Sequence, residues 1–384
     1  MAAQGSPPVT APSGPPLISL HLASNRPEQL FGFFENIERT VSDPASVEIL
    51  VKVDDGDTAM AALMAIEAQK RPFPIRTVSS PREEGYFSLW KAYNALWTHA
   101  HPLAHFVAVL NDEVRFETPD WDRILRRYVG FWPDGMFRLR ISRFRLRNYH
   151  DLWECGFAPD AFAIHTRAWV AAGGDWAPCN TPDAFQQMVA WRLSRFTSAE
   201  PARIDRDVPI RDIQLSSEIP GGGLTEAQLH ARARIARRHW YRLVSPAVQT
   251  DCARRARLIE AHIRAQAIGR QGVAVRCDTP ARCVEIVSDG VVVERLDYRV
   301  SAWRLWASNA VRRPFHDYWC GGGRTMLEER WAKHRRDVMG WFWRKWHLAR
   351  HRRSRVLFFL RMFLDDPRLF AIKVWRRLFS PARR

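Results

Sequence analysis

The six cysteines of this 384-residue chain, Cys155, Cys179, Cys252, Cys277, Cys283 and Cys320, contain no CxxC pair and no zinc-ligand spacing. That excludes a disulfide framework and a structural zinc, and leaves buried thiols of a reducing compartment. No apolar run approaches the roughly eighteen residues that a bilayer-spanning helix needs. Met1 to Pro16 lacks the basic start and apolar core of a secretory signal; rich in Pro, Ser, Ala and Gly, it reads as a disordered lead-in. Neither Gly221-Gly222-Gly223 nor Gly321-Gly322-Gly323 leads a strand into a helix with the spacing of a phosphate loop, so both read as hinges. Disorder throughout is excluded too, because 46% of the residues are hydrophobic and 12% aromatic.

Positive charge is present in excess and is unevenly placed. Residues 325–384 carry 17 Lys or Arg against 5 Asp or Glu, a surplus of 12 out of the net +17. Basicity is therefore a property of the tail and points to an anionic partner. Trp331, Trp341, Trp343 and Trp346 precede His351-Arg352-Arg353-Ser354-Arg355, a mixture that can also stack and clamp single-stranded nucleic acid. No recognised nucleic-acid motif accompanies it, and the aliphatic run Val356 to Leu360 has no role in such a clamp. Val356 to Leu364 and the amphipathic stretch Leu369 to Phe379 instead suit the headgroup boundary of an anionic membrane, with a helix packed on the protein as the competing reading.

Ahead of the tail, the pattern alternates. Leu17 to Ala23 reads as a buried strand; Pro27 then opens a helix with Leu30, Phe31, Phe34 and Ile37 on one face. Val47 to Val53 is a second strand, Ala59 to Gln69 a helix, Ile75 to Val78 a third strand and Tyr86 to His99 a helix. Strand and helix in strict alternation predict a parallel sheet in an α/β fold. The fourth strand is Phe106 to Leu110, and it ends abruptly in Asn111-Asp112-Glu113. Open α/β sheets bind ligands at the carboxyl ends of their strands, and acidic oxygens there suit a hard divalent cation carrying a phosphate. The bland alternative is a solvated turn.

Three strand ends, SNRP after the first, DDGD after the second and NDEVRFETPDWD after the fourth, together resemble a family-2-type glycosyltransferase of the GT-A fold. The resemblance covers about residues 17–200. It implies a GT-A-like, mostly parallel sheet flanked by helices. It implies that Ser24, Asn25, Arg26, Asp54 and Asp55 hold the nucleotide of a sugar donor, and that Asp112, Glu113 and Asn111 hold Mn2+ or Mg2+ on its diphosphate. The family carries two aspartates separated by one residue, whereas here that spacing is occupied by Asn111 and Glu113 with Asp112 between them. Asp112 becomes the principal ligand in a shifted register, and a metal-independent or inactive relative stays open. The resemblance also implies that Asp183, at the start of a helix running to Arg195, is the base that activates the acceptor. A helix cap is its other role, and Asp175 is the alternative base.

Phe137 to Arg147 alternates apolar residues with Arg, as a strand with a solvated basic face or as a clamp for diphosphate. Phe157 to His165 reads as a strand and Arg167 to Ala172 as a helix. His165 is either a packed core residue or a further metal ligand. Thr225 and Ser245-Pro246 open two more helices, ending near Val244 and Ile268, and Val284 to Leu296 forms a hairpin. The expected organisation is a disordered segment 1–16, a GT-A-like catalytic domain 17–215, a helical and β-hairpin accessory region 216–323, and a basic amphipathic helical tail 324–384. The expected function is sugar transfer from a nucleotide-sugar to a glycan or lipid-linked acceptor, by an enzyme on the cytoplasmic side held peripherally to a membrane through residues 324–384. A non-catalytic GT-A-like adaptor and a nucleotidyltransferase are the alternatives.

Overall fold

The computed structural model describes residues 14–83, 88–141, 160, 162–179, 181–196, 206–217, 245–269, 271–301 and 303. The N-terminal lead-in to residue 13, the Arg-rich stretch beyond Ile141, the helix expected from Thr225, both triple-glycine segments, Cys155, Cys320 and the tail 324–384 lie outside these residues. The chain divides into two units, residues 1–221 with 251–298, and residues 222–250 with 299–384. Among the described residues no helix is long and apolar enough to cross a membrane.

Strands β1 (Ile18–Ala23), β2 (Val47–Asp54), β3 (Ile75–Ser80) and β4 (Phe106–Leu110) are mutually parallel. They continue through β7 (Ile164–Thr166), β6 (Arg138–Arg140) and β8 (Asp207–Pro209) into a seven-stranded sheet of order β3-β2-β1-β4-β7-β6-β8. Only β7 runs antiparallel to its neighbours. Helices α1 (Pro27–Thr40), α2 (Thr58–Lys70) and α3 (Leu89–Trp97) make the crossovers that parallel strands require. The expected α/β class and mostly parallel sheet are thus what the chain forms.

Helix α1 starts at Pro27, whose missing N–H costs nothing in a first turn. Its core face is Leu30, Phe33, Phe34 and Ile37, all fully buried, with Phe33 in place of the expected Phe31, which is only partly buried. Each such side chain contributes roughly 1.5–3 kcal/mol. These residues meet Ile18, Leu20 and Leu22 of β1, Ile49 and Val51 of β2 and Phe106, Ala108 and Leu110 of β4 in one core cluster. Asn36 of α1 clasps the short strand β5 (Val114–Phe116) by accepting from the Phe116 N–H at 2.7 Å and donating to its carbonyl at 3.0 Å. Strand β5 pairs with β9 (Leu215–Ser217) outside the main sheet.

The second half of the NDEVRFETPDWD stretch is an anchor. Trp121 opens α4 (Trp121–Arg126), stacks on Phe116 at 4.2 Å and donates from its ring N–H to Thr40 at 3.2 Å. The buried Asp122 carboxylate accepts from the Ser42 amide at 2.8 Å, the Ser42 hydroxyl at 2.7 Å and the Asp43 amide at 3.1 Å, fixing the loop that leaves α1.

Beyond the sheet, α5 (Arg167–Gly173), α6 (Pro182–Phe196) and α7 (Pro246–Ile268) fall close to their expected spans. The expected hairpin is present as β11 (Cys283–Ser288) and β12 (Val291–Asp297), turning at Asp289-Gly290 with both φ values positive, as a primed turn requires. A strand the sequence reading did not assign, β10 (Val273–Asp278), completes a three-stranded antiparallel sheet.

One expectation is corrected. Arg138 is not on a solvated basic face: it is fully buried and donates from Nη2 to Asp207 at 3.0 Å. The parallel register of β6 and β8 places Arg138 opposite Asp207, so the charge is balanced inside the sheet.

Candidate active site

The carboxyl edge of the parallel strands is where the chain's polar residues converge. Strand register decides which of them meet. Leu22 pairs with Leu110, and side chains alternate faces along a strand, so Ser24 and Asp112, each two residues further on, emerge on the same face at adjoining strand ends. The Ser24 hydroxyl donates to Asp112 Oδ2 and accepts from the Arg26 amide at 3.0 Å. The Arg26 side chain then reaches across to β4. Its Nε donates to Asp112 Oδ2 at 3.0 Å, Nη2 donates to Asp112 Oδ1, and Nη1 donates to Glu113 Oε1 at 3.0 Å. Asp112 is only 2% exposed, whereas the Arg26 side chain is 45% exposed. Hydrogen bonds to Asp112, then to Glu113, hold the guanidinium above its ordinary pKa despite partial burial.

Two further side chains support this cluster, and nothing in the sequence pattern singled them out. Arg115 donates from Nη1 to the Asp112 carbonyl at 2.8 Å and to the Val114 carbonyl at 2.8 Å. It lies against α1 at Gly32, where an added Cβ would come within 2.9 Å of Arg115 Nη2. Tyr93 of α3 donates to the Leu110 carbonyl at 3.2 Å, fixing the last residue of β4.

At the end of β2, Asp54 is ion-paired with Lys52 and lies 3.7 Å from Arg82. Asp55 accepts from the Ser79 hydroxyl at 2.5 Å, and Asp57 caps α2 by accepting from the Met60 amide at 3.0 Å. Gly56, at φ +82°, makes the tight turn between them. Asn25 is exposed at the end of β1. Ser24, Arg26, Asp112 and Glu113 therefore form one bonded cluster, with Asp54 and Asp55 on the same sheet edge.

Asp183 stands apart from that cluster, in the first turn of α6. The backbone N–H groups of Ala184 and of Asp183 itself hydrogen-bond its carboxylate, from the second residue of the helix and not from the cap position ahead of Pro182. Burial nevertheless raises its pKa above the ordinary aspartate value, against those bonds and the positive charge of Arg138. The turn that sets α6 in place is pinned from several sides. Trp176 donates from its ring to His21 Nδ1 at 3.1 Å and from its amide to Asn94 at 3.0 Å, and Trp97 donates to the Gly174 carbonyl at 2.9 Å. Asp175 accepts from Arg255 of α7 at 2.7 Å, which gives it a structural partner.

His165 is opposite Val107, within β4 and short of its carboxyl end. Its ring meets Trp176 edge-on at 5.2 Å, and burial, followed by the charge of Arg138, drives its pKa well below the usual histidine value. It is a neutral, packed core residue.

Among the described residues, Asp278, Cys283 and Glu285 bring three potential metal-ligand atoms within 4.8 Å of one another. Glu285, however, is the middle of a cross-strand ladder and accepts from Arg276 and from Arg295, each at 2.6 Å. Those two arginines already balance it. A cavity of about 370 Å³ lined by Leu103, His105, Phe106, Phe137 and Arg167 among others lies at the opposite, amino end of β4.

A mostly parallel sheet flanked by helices gathers acidic and polar strand ends at its carboxyl edge. No family model matches the sequence, and no curated protein does. Among solved structures, the chain is similar to the mannosyltransferase PcManGT from Pyrobaculum calidifontis in complex with GDP-Man and Mn2+, at 12% identity over 68% of this chain and 77% of that one, TM-score 0.44. It is similar to residues 1–349 of S. aureus TarS in complex with UDP-GlcNAc, at 10% identity over 73% and 99%, TM-score 0.40. A longer TarS chain is covered over 58% of its length. It is also similar to glucosyl-3-phosphoglycerate synthase from Mycobacterium tuberculosis with Mg2+ and UDP, at 13% identity over 75% and 92%, TM-score 0.37.

Proposed function

We propose that the chain is a glycosyltransferase that moves a sugar from a nucleotide-sugar to a glycan or lipid-linked acceptor. The observation that carries this reading is the bonded cluster of Ser24, Arg26, Asp112 and Glu113 at the carboxyl edge of the GT-A-like sheet. Ligands of open α/β sheets bind at that edge. Asp54 and Asp55, at the next strand end, and the exposed Asn25 face the nucleoside in this proposal, and Arg26 faces the diphosphate. A guanidinium fork matches phosphate oxygens in two parallel hydrogen bonds.

The residues present fit a hard divalent cation such as Mn2+ or Mg2+. Asp112, Glu113 and Asn111 offer only oxygen donors, and Asn111 Oδ1 is buried with no hydrogen-bond partner among the described residues. Bound there, the ion would supply positive charge against the departing diphosphate. On the acceptor side, Asp183 takes the proton of the attacking hydroxyl as the anomeric carbon exchanges its diphosphate oxygen for the acceptor oxygen. Its raised pKa suits a carboxylate that must hold a proton in passing. The basic aromatic tail, residues 324–384, is proposed to hold the enzyme to an anionic membrane surface on the cytoplasmic side, where a lipid-linked acceptor is presented.

Incubation with a panel of nucleotide-sugars, with and without Mn2+, tests the reading. Release of a nucleoside diphosphate and free or transferred sugar is expected. Release of pyrophosphate would make the chain a nucleotidyltransferase, and no binding of any nucleotide would leave a non-catalytic adaptor.

A further inference from the structure

Arg26 occupies the oxygens that a cation on Asp112 would need. Nε and Nη2 bond the two carboxylate oxygens of Asp112, and Nη1 bonds Glu113, so one guanidinium spans both acidic side chains. Bidentate, charge-assisted pairs of this kind are about twice as strong as neutral hydrogen bonds. The two ends of the pair are unlike each other. Asp112 is held in place, being buried, bonded by the Ser24 hydroxyl and hooked at its carbonyl by Arg115. The Arg26 side chain is nearly half exposed and sits at the residue before Pro27, where α1 begins, so it can swing outward without disturbing β1 or the helix. Beside them, the buried Asn111 Oδ1 has no partner among the described residues.

We propose that Arg26 is an exchangeable counter-ion. It pairs with Asp112 and Glu113 while the donor is absent, excludes a bare divalent cation, and is handed to the donor's diphosphate when that group arrives. The inference rests on the nucleotide-sugar reading of this site and adds an order of loading. A divalent ion brought to Asp112 alone meets a guanidinium at the same oxygens, and like charges repel. A nucleoside diphosphate offers the guanidinium phosphate oxygens in the same fork geometry, which frees both carboxylates beside the Asn111 oxygen.

Mn2+ binding followed by electron paramagnetic resonance of the free ion tests this on the full chain, without any turnover. Wild type is expected to bind Mn2+ weakly alone and to gain affinity when UDP or GDP is added. Arg26→Gln is expected to bind Mn2+ alone at least about tenfold tighter than wild type, a change of 1.4 kcal/mol. The same variant should lose affinity for the nucleoside diphosphate. Arg26→Lys keeps the charge but not the fork; its Mn2+ affinity alone should fall between the two, which keeps the test open if the Gln variant fails to fold. If Arg26→Gln or Arg26→Lys binds Mn2+ alone no more tightly than wild type, the counter-ion role is overturned, even where nucleoside diphosphate binding supports the glycosyltransferase reading. If Arg26→Gln gains Mn2+ affinity while wild type binds no nucleoside diphosphate, handing over to a diphosphate is overturned along with the proposed function.

Discussion

Replacing Asp183 by Asn separates a base from a cap, because Asn keeps the cap's acceptor and loses the base's charge. Asn keeps an oxygen that can accept from the free N–H groups of the helix's first turn, and Ala does not. A positioned general base contributes about a hundredfold to ten-thousandfold in rate, or about 2.7–5.5 kcal/mol at 1.36 kcal/mol per decade. Asp183→Asn should therefore lose that much in kcat, with donor affinity unchanged because the base acts on the acceptor. Stability should move the other way. Burial raises the folded-state pKa of Asp183 above its unfolded value, so the stability linked to this group is complete below the unfolded value and is lost as pH rises through the folded one. At neutral pH the ionised carboxylate is thus a net cost that the neutral amide removes. The Asn variant should melt no lower than wild type at pH 7, and any gain should vanish in acid. In wild type, kcat/KM should fall with pH at a value above the ordinary aspartate range. The double variant Arg138→Met/Asp207→Leu should push that limb higher, since the Arg138 charge helps to hold it down. Full turnover in Asp183→Asn, with a loss of stability only in Asp183→Ala, would refute the assignment and leave Asp183 a cap.

Asp112→Asn should abolish metal-dependent donor binding with the fold intact, because its exposed partner Arg26 can turn to water; wild-type donor affinity measured calorimetrically in the variant would remove Asp112 from the site. Asp207→Asn breaks the buried Arg138–Asp207 pair and should cost about 3–5 kcal/mol in denaturant unfolding, whereas the double variant Arg138→Met/Asp207→Leu should recover most of it. Deletion from Arg324 onward should abolish sedimentation with anionic but not neutral vesicles while sparing donor hydrolysis; a truncated chain that still sediments with anionic vesicles would place membrane binding elsewhere.

The parts of this fold that were legible in the sequence are those set by local pattern. The apolar run of β4 and the apolar-rich stretches of β1 and β2 marked those strands, Pro27 marked the start of α1, and Asp289-Gly290 marked the hairpin. Register was not legible, and register is what joins Ser24 to Asp112 across 88 residues and Arg138 to Asp207 across 69. An arginine alternating with apolar residues looks the same whether it faces water or a carboxylate on a neighbouring strand. The site was half legible for the same reason. Acidic residues at strand ends declared the edge, but the fork from Arg26 to two side chains just past β4 depends on a strand order that no local window contains. His165 illustrates the converse, a ligand-type residue whose neighbours, Trp176 above all, come from elsewhere in the chain and make it core.

Arg255 has a consequence for how the protein is made. Its guanidinium donates to the Asp175 carbonyl at 2.6 Å, the Asp175 carboxylate at 2.7 Å and Asp251 at 2.7 Å, and it lies 5.0 Å from the centre of the Phe185 ring. The turn that aims α6, and with it Asp183, is therefore closed by a residue synthesised 80 positions later. At about 5–20 residues per second, a ribosome that has added Asp175 takes roughly 4–16 s more to deliver the side chain that locks the turn. During that interval the strand ends that carry Ser24, Arg26, Asp112 and Glu113 are already synthesised while the turn ahead of Asp183 lacks its clasp, so the two halves of the proposed reaction come under structural control at different times.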